Sequence, residues 1–128
     1  MLFTITKIEA ENNITLISGN TGIGRIKGLW KSKEIPVIGK HYQIELDFGI
    51  IDRSLITIHN EPTEASSEII EDGVIFTAEC EDIDEIYYLR FAFDGLEMLD
   101  IEQDDFTIKK GDYISFSLRF SEIGIYPY

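Results

Sequence analysis

The strongest constraint on the fold of this chain is a two-residue alternation of apolar and polar side chains. From His41 to Phe48 every second residue is apolar, and the segment from Tyr113 to Phe120 repeats the pattern. Such alternation is typical of strands that bury one face, and no segment shows a sustained helical stripe. The pattern predicts strands at Leu2–Ile8, Ile14–Ser18, Ile23–Trp30, His41–Phe48, Ser54–His59, Val74–Cys80, Glu85–Phe93, Leu96–Ile101 and Tyr113–Phe120.

Turn-forming residues punctuate these segments. Asn12-Asn13, Asp72-Gly73, Asp94-Gly95 and Lys110-Gly111 lie between or beside the strands, and such residues tolerate the positive φ of tight turns. About nine short strands with frequent turns predict an all-β fold, either an antiparallel β-sandwich or a partly closed barrel.

The segment 60–70 has two interpretations. Asn60 and Pro62 are suited to begin one short helix, whereas the polar, small-residue composition of the same segment is that of a linker. At most one short helix is therefore expected near 60–70.

A chain of 128 residues is expected to form one domain. Within it, Gly39 and the alternating strand that follows align with Gly111 and its strand at an offset of 72 residues. This alignment indicates either two similar β-halves, 1–60 and 61–128, or a chance match, because any two amphipathic strands preceded by a glycine turn align in this way.

The charge is segregated between these halves. Residues 1–60 contain seven Lys or Arg and six Asp or Glu, whereas residues 61–128 contain four and eighteen. The second half also contains many apolar and aromatic residues, so it is expected to be folded structure with a negative surface rather than a disordered tail. Net charge governs solubility, partners and association rates more than fold.

Two carboxylate clusters stand out as candidate partner-binding residues, and an aromatic anchor would complete such an interface. The first cluster and its adjacent tyrosines are Glu79, Glu81, Asp82, Asp84, Glu85, Tyr87 and Tyr88, and the second cluster is Asp100, Glu102, Asp104 and Asp105. The alternation in the predicted strand requires one tyrosine to face outward if the other faces inward.

Catalytic, metal and cofactor sites are not expected. The glycines at 19–28 match neither the spacing of a phosphate loop nor that of a dinucleotide fingerprint. Asp100, Glu102 and Asp104 resemble the start of a calcium loop, but Phe106 occupies the position that requires glycine. Carboxylates beside Cys80 disfavour its thiolate. We therefore expect a protein that is not an enzyme, without a cofactor or bound metal.

Nucleic acid and membranes are not expected as partners. Lys and Arg residues around Trp30 could line a groove for single-stranded nucleic acid, but the anionic molecule would repel a polyanion, so nucleic-acid binding is not expected. A single cysteine and the absence of a signal peptide or a long apolar segment favour a cytoplasmic protein without a membrane partner.

The composition favours a non-enzymatic binding protein. Small acidic proteins that neutralise basic toxins or nucleases, as immunity proteins and antitoxins do, use negative charge to speed and orient association. The alternative is a structural β-module that self-associates, for example as a homodimer, or is a subunit of a larger assembly. The apolar C-terminal segment 123–128 supports this alternative, since it is suited to complete a sheet or to pair with a partner's strand.

Overall fold

A computed structural model describes residues 1–128 and shows an all-β fold of twelve strands with two short 3-10 helices, at Arg53–Leu55 and Phe120–Glu122. The all-β prediction is confirmed. The strands are β1 Leu2–Glu11, β2 Ile14–Thr21, β3 Gly24–Trp30, β4 His41–Asp47, β5 Ile50–Asp52, β6 Ile56–His59, β7 Ser66–Ile69, β8 Gly73–Asp84, β9 Ile86–Ala92, β10 Gly95–Glu102, β11 Tyr113–Arg119 and β12 Gly124–Pro127.

Five strands close a barrel, here called barrel one. Strands β1, β2 and β3 form an antiparallel meander, and β4 pairs with the other edge of β1. Strand β12 closes the ring because it pairs antiparallel with β4 and parallel with β3. Asn12 and Asn13, with φ of 50° and 65°, form the β1–β2 turn, whose two positive φ angles match the twist of a tight hairpin.

A second group of strands repeats these pairings in a ring that is open between β5 and β6, and we call this group barrel two. Strands β8, β9 and β10 form the meander, and β11 pairs with the other edge of β8. Here the role of β12 is shared, since β5 runs parallel to β10 and β6 runs antiparallel to β11. Strand β7 pairs with β8 and also contacts β3 through a single parallel bridge, Gly24 to Ser67, so it joins the two groups.

The two barrels exchange their last strands. β5 and β6 come from the first half of the chain but complete barrel two, and β12 comes from the second half but completes barrel one. The core follows the same exchange. Phe48 packs edge-on against Phe76 and Phe116 of barrel two, with ring centroids 5.0 and 5.2 Å apart. Ile123 and Ile125 are fully buried in barrel one. Each half therefore supplies core residues that the other half needs.

Three features differ in detail from the predicted arrangement. The strand count is twelve instead of nine, because short strands such as β5, β7 and β12 are too brief to show alternation. Residues 60–70 contain no helix, since Ser66–Ile69 form β7 along the edge of β8. Three pairings, β3–β12, β10–β5 and β3–β7, are parallel within an otherwise antiparallel fold.

The strands β4 and β11, on which the predicted duplication rests, occupy equivalent places in the two barrels. Each follows a glycine with positive φ, Gly39 at 84° and Gly111 at 94°. This is a similarity of strand pairing, and duplication of the sequence stays a prediction.

Candidate functional site

The outward side of β8, β9 and β10, together with β5, brings members of both carboxylate clusters onto one surface. Asp82 lies opposite Tyr88, which lies opposite Met98, so these three side chains form one row across the strands. Asp84 lies opposite Ile86, and Asp100 lies opposite Ile50. We call this surface the acidic face, formed by Asp82, Asp84, Asp100, Glu102, Ile50, Ile86, Tyr88, Leu96 and Met98. Arg90, opposite Leu96, points the same way and is ion-paired with Glu81.

A β-bulge in β8 determines which acidic residues reach this face. Cys80 lies opposite Leu89, but the next paired residue is Asp82, opposite Tyr88, so Glu81 is the extra residue. Because neighbouring strand residues point to opposite sides, the insertion of one residue reverses the orientation of all that follow. Asp82 and Asp84 therefore point outward, whereas uninterrupted alternation from the buried Cys80 would have turned them inward.

Exposed apolar side chains lie among these carboxylates. Ile50 is 67% exposed, Met98 59% and Leu96 43%, and Tyr88 and Ile86 are half-buried on β9. Exposed apolar side chains beside polar ones are a composition that protein–protein interfaces use, and the charges contribute mainly to encounter and orientation.

The four carboxylates of the acidic face have no basic partner. Asp82, Asp84, Asp100 and Glu102 take part in none of the ion pairs of the structure. Asp82 uses one oxygen, Oδ1, to accept a hydrogen bond from the backbone N–H of Ile83 at 2.9 Å. Their negative charge is therefore available to an external cation.

Two other predicted residues lie beside this face and have partners within the molecule. Glu81 Oε2 accepts a hydrogen bond from Arg90 Nη2 at 2.9 Å, which forms an ion pair on the outer side of β9. Glu79 faces Arg90 across the strands and accepts a weak hydrogen bond from Tyr113 Oη at 3.4 Å. Glu85 occupies the β8–β9 turn with φ of 59° and is exposed.

The remaining predicted residues make hydrogen bonds to other side chains of the chain. Tyr87 is buried, and its hydroxyl donates to Asp104 Oδ2 at 2.5 Å. Burial, followed by this contact with a carboxylate, raises the pKa of Tyr87. Tyr88 is thus the outward-facing member of the tyrosine pair.

Asp105 stabilises the loop that follows β10. It accepts hydrogen bonds from the backbone N–H and the hydroxyl of Thr107 and from Arg53 Nε, the last at 3.0 Å. The contacts with Thr107 and then Arg53 lower the pKa of Asp105. Because Arg53 also donates to Ile56 O at 2.8 Å, this network ties the loop to the segment between β5 and β6. Asp104 and Asp105 therefore make contacts within the fold, and their part in partner binding stays a prediction.

A buried carboxylate, Glu97, lies on the opposite side of β10 from the acidic face. It is 4% exposed, and its Oε2 accepts a hydrogen bond from the backbone N–H of Leu46 at 3.0 Å. The pKa of Glu97 is raised to about 7, mainly because the carboxyl is buried. The hydrogen bond from Leu46 N–H lowers this pKa, the charge of Glu45 raises it and the N-terminal ammonium lowers it. This residue couples β10 of barrel two to β4 of barrel one.

Outside the acidic face, a histidine and a serine, residue types that catalytic sites use, contact each other. His59 Nε2 and Ser115 Oγ are 2.5 Å apart, and Thr77 Oγ1 lies 2.6 Å from the same serine oxygen. No further side chain hydrogen-bonds to His59 to orient it, as a base in a nucleophilic triad requires. Cys80 is buried, and burial, followed by Asp112, Asp82 and Glu79, raises its pKa to about 11.

No group of three or more His, Cys, Asp or Glu side chains in the structure is arranged to hold a metal ion. Lys27, one of the basic residues near Trp30, is paired with Glu9 at 2.8 Å and lies over the ring of Phe120. The structure also has no helix with the length and apolar character needed to cross a membrane.

Comparison with protein-family models, with curated proteins and with solved structures finds no match to this chain. The properties of the acidic face therefore rest on its own residues.

The sequence pattern does not reveal that the apolar residues of the acidic face are exposed. Leu96 and Met98 alternate with Glu97, and this pattern suggests that the two apolar residues are buried and the glutamate is exposed. The structure has the reverse orientation. Leu99 and Gly95, on the same side as Glu97, are the only signal for it, since they fill the interior.

Proposed function

We propose that this protein is a non-enzymatic binding protein whose acidic face engages a basic protein. The observation that carries the proposal is the register of β8, β9, β10 and β5, which places four carboxylates without basic partners among exposed apolar side chains. Within this class we propose an immunity-type or antitoxin-type inhibitor, a protein that binds a basic toxin or nuclease and blocks its active surface.

Electrostatics support a basic partner. The negative charge of the chain is concentrated in residues 61–128, and the carboxylates of the acidic face belong to that part. Clustered charge raises the rate of encounter with an oppositely charged protein and orients the two surfaces before they touch. A target that itself binds nucleic acid carries such a positive surface.

The exposed apolar side chains of the acidic face support a protein, and not a free cation, as the partner. Tyr88 and Met98 lie side by side in one row of the face, with Leu96 and Ile50 exposed nearby. Most of the binding energy of an interface comes from a few buried side chains near its centre, and aromatic residues are prominent among them. We propose Tyr88, the outward-facing tyrosine of the predicted pair, as this anchor.

Capture from a lysate of the native host tests the proposal. Immobilised wild-type protein is compared with the Asp84→Lys/Asp100→Lys variant, and bound proteins are eluted with a salt gradient and identified. A matched control, Glu61→Lys/Glu64→Lys, makes the same change in net charge at exposed residues outside the face.

The expected result is a basic protein that binds the wild-type and control proteins, elutes at moderate salt and is lost with the face variant. Its toxic or nuclease activity should fall when the wild-type chain is added. Equal loss in the control, or binding that is unchanged by high salt, would contradict a specific electrostatic interface.

A further inference from the structure

A second exposed apolar surface lies on the connection between β3 and β4, here called the β3–β4 loop (residues 31–40). Ile35 is 82% exposed, Ile38 61% and Val37 51%. The loop is attached to barrel one, because Trp30 Nε1 donates to Glu34 O at 2.7 Å and the backbone N–H of Gly39 donates to Ile5 O at 2.8 Å. Its aliphatic side chains are therefore presented from a fixed backbone.

This loop is positively charged in a strongly negative molecule. Lys31, Lys33 and Lys40 are exposed, and the only acidic residue among positions 31–40 is Glu34. Glu34 is paired with Lys40 at 2.8 Å, so Lys31 and Lys33 retain unpaired charge. The β3–β4 loop thus combines exposed aliphatic groups with an excess of positive charge.

The loop lies at the end of β3 that is opposite its bridge to barrel two. Barrel two contacts β3 at Gly24, the first residue of that strand, whereas the loop begins after Trp30 at its other end. Six residues of strand correspond to about 20 Å. No ion pair in the structure joins the loop to the acidic face.

We propose that the β3–β4 loop binds the acidic face of a second copy of this chain. The two surfaces are complementary, because lysines and aliphatic side chains of the loop would meet unpaired carboxylates and exposed apolar side chains of the face. The contact is head-to-tail, so a dimer has one free loop and one free face, and further copies add to form an open chain or a closed ring. The inference rests on the acidic face of the proposed function and adds a form of regulation, since self-association covers the surface that the basic partner needs.

Two variants, each with one surface removed, provide the test. The loop variant, Ile35→Ser/Ile38→Ser, keeps its acidic face, and the face variant, Met98→Ser/Asp100→Lys, keeps its loop. All four residues are exposed, so both variants are expected to fold, which circular dichroism checks. Sedimentation velocity is measured for wild type, each variant alone and their equimolar mixture.

The expected result is a mass that rises with concentration for wild type and falls again in high salt. Each variant alone should be monomeric, and the mixture should form a one-to-one dimer that grows no further. The proposal would be overturned if wild type stayed monomeric at about 1 mM. At that concentration about half of the binding sites would be occupied even for a binding free energy of only about −4 kcal/mol. Self-association that persists in both variants would also overturn it.

Two further measurements distinguish self-association from lipid binding and from the binding of a basic protein. Binding of monomeric wild type to phosphatidylserine vesicles, lost in the loop variant, would assign the loop to a lipid surface and refute self-docking. If wild type is monomeric but the Asp84→Lys/Asp100→Lys variant loses a basic partner, only the self-association proposal fails. If copies associate as described and no basic protein is captured, only the proposed function fails.

Discussion

Glu97 should make the stability of the folded protein depend on pH. Burial raises its pKa from 4.5 to about 7 in the fold. Between pH 4.5 and about pH 7 the folded state therefore keeps a proton on Glu97 that the unfolded chain has released. Stability therefore falls as pH rises through this interval, because the folded state binds more protons than the unfolded state. The contribution of the protonated Glu97 to the free energy of unfolding is fully present below pH 4.5 and is lost above about pH 7.

The size of this effect follows from the two pKa values. A difference of one in pKa corresponds to about 1.4 kcal/mol, so a rise from 4.5 to about 7 corresponds to about 3 kcal/mol. Glu97→Gln removes the ionisation but keeps an oxygen that can accept the hydrogen bond from Leu46 N–H. The variant should match or slightly trail wild type at low pH and exceed it by up to about 3 kcal/mol near pH 8.

Urea unfolding of wild type and Glu97→Gln from about pH 4 to pH 8 measures this difference. The control is Glu102→Gln on the same strand, which is exposed and should change stability by less than about 0.5 kcal/mol at every pH. A stability difference between Glu97→Gln and wild type that does not change with pH would refute the argument. It would show that the Glu97 carboxyl is solvated or paired in the fold.

Three further predictions concern the fold and the acidic face. Arg53→Ala should destabilise the protein by about 1–3 kcal/mol through lost charged hydrogen bonds, and limited proteolysis should cut first within 103–107. Gly28→Ala would place a Cβ 2.7 Å from Ile123 O, and should lower stability by about 1–3 kcal/mol and increase hydrogen exchange in β12. Gly22→Ala, with no atom within 4 Å of its Cβ, is the matched control, and equal effects of the two would contradict the exchanged strand. Tyr88→Ala should weaken capture of the basic partner at least tenfold with little loss of stability, which titration calorimetry and thermal unfolding would measure.

The sequence predicts the strands of this protein better than their partners. Alternation from His41 to Phe48 and from Tyr113 to Phe120 is visible because each strand has one polar and one apolar face. Strand exchange leaves no comparable signal, since β12 differs from an ordinary last strand only in the distant residues that it pairs with. Non-local pairing of this kind is a property of the whole fold.

The acidic face could be predicted only in part. Asp82, Asp84, Asp100 and Glu102 were identified as candidates from their charge, but their common face depends on the bulge at Glu81 and on the register of β10. Asp104 and Asp105 belong to the same acidic segment and have the same chemistry. Their internal roles depend on Tyr87 and Arg53, which are distant in the sequence.

The most direct test of the proposed function is the rate at which the captured basic protein associates with this chain. Stopped-flow measurements at about 0.1 M and about 1 M salt compare conditions in which the Debye length falls from about 10 Å to about 3 Å. Wild type and the Glu61→Lys/Glu64→Lys control should associate rapidly at low salt and at least tenfold more slowly at high salt. The Asp84→Lys/Asp100→Lys variant should be slow at both. Equal rates for the variant and the control at low salt would contradict an interface at the acidic face.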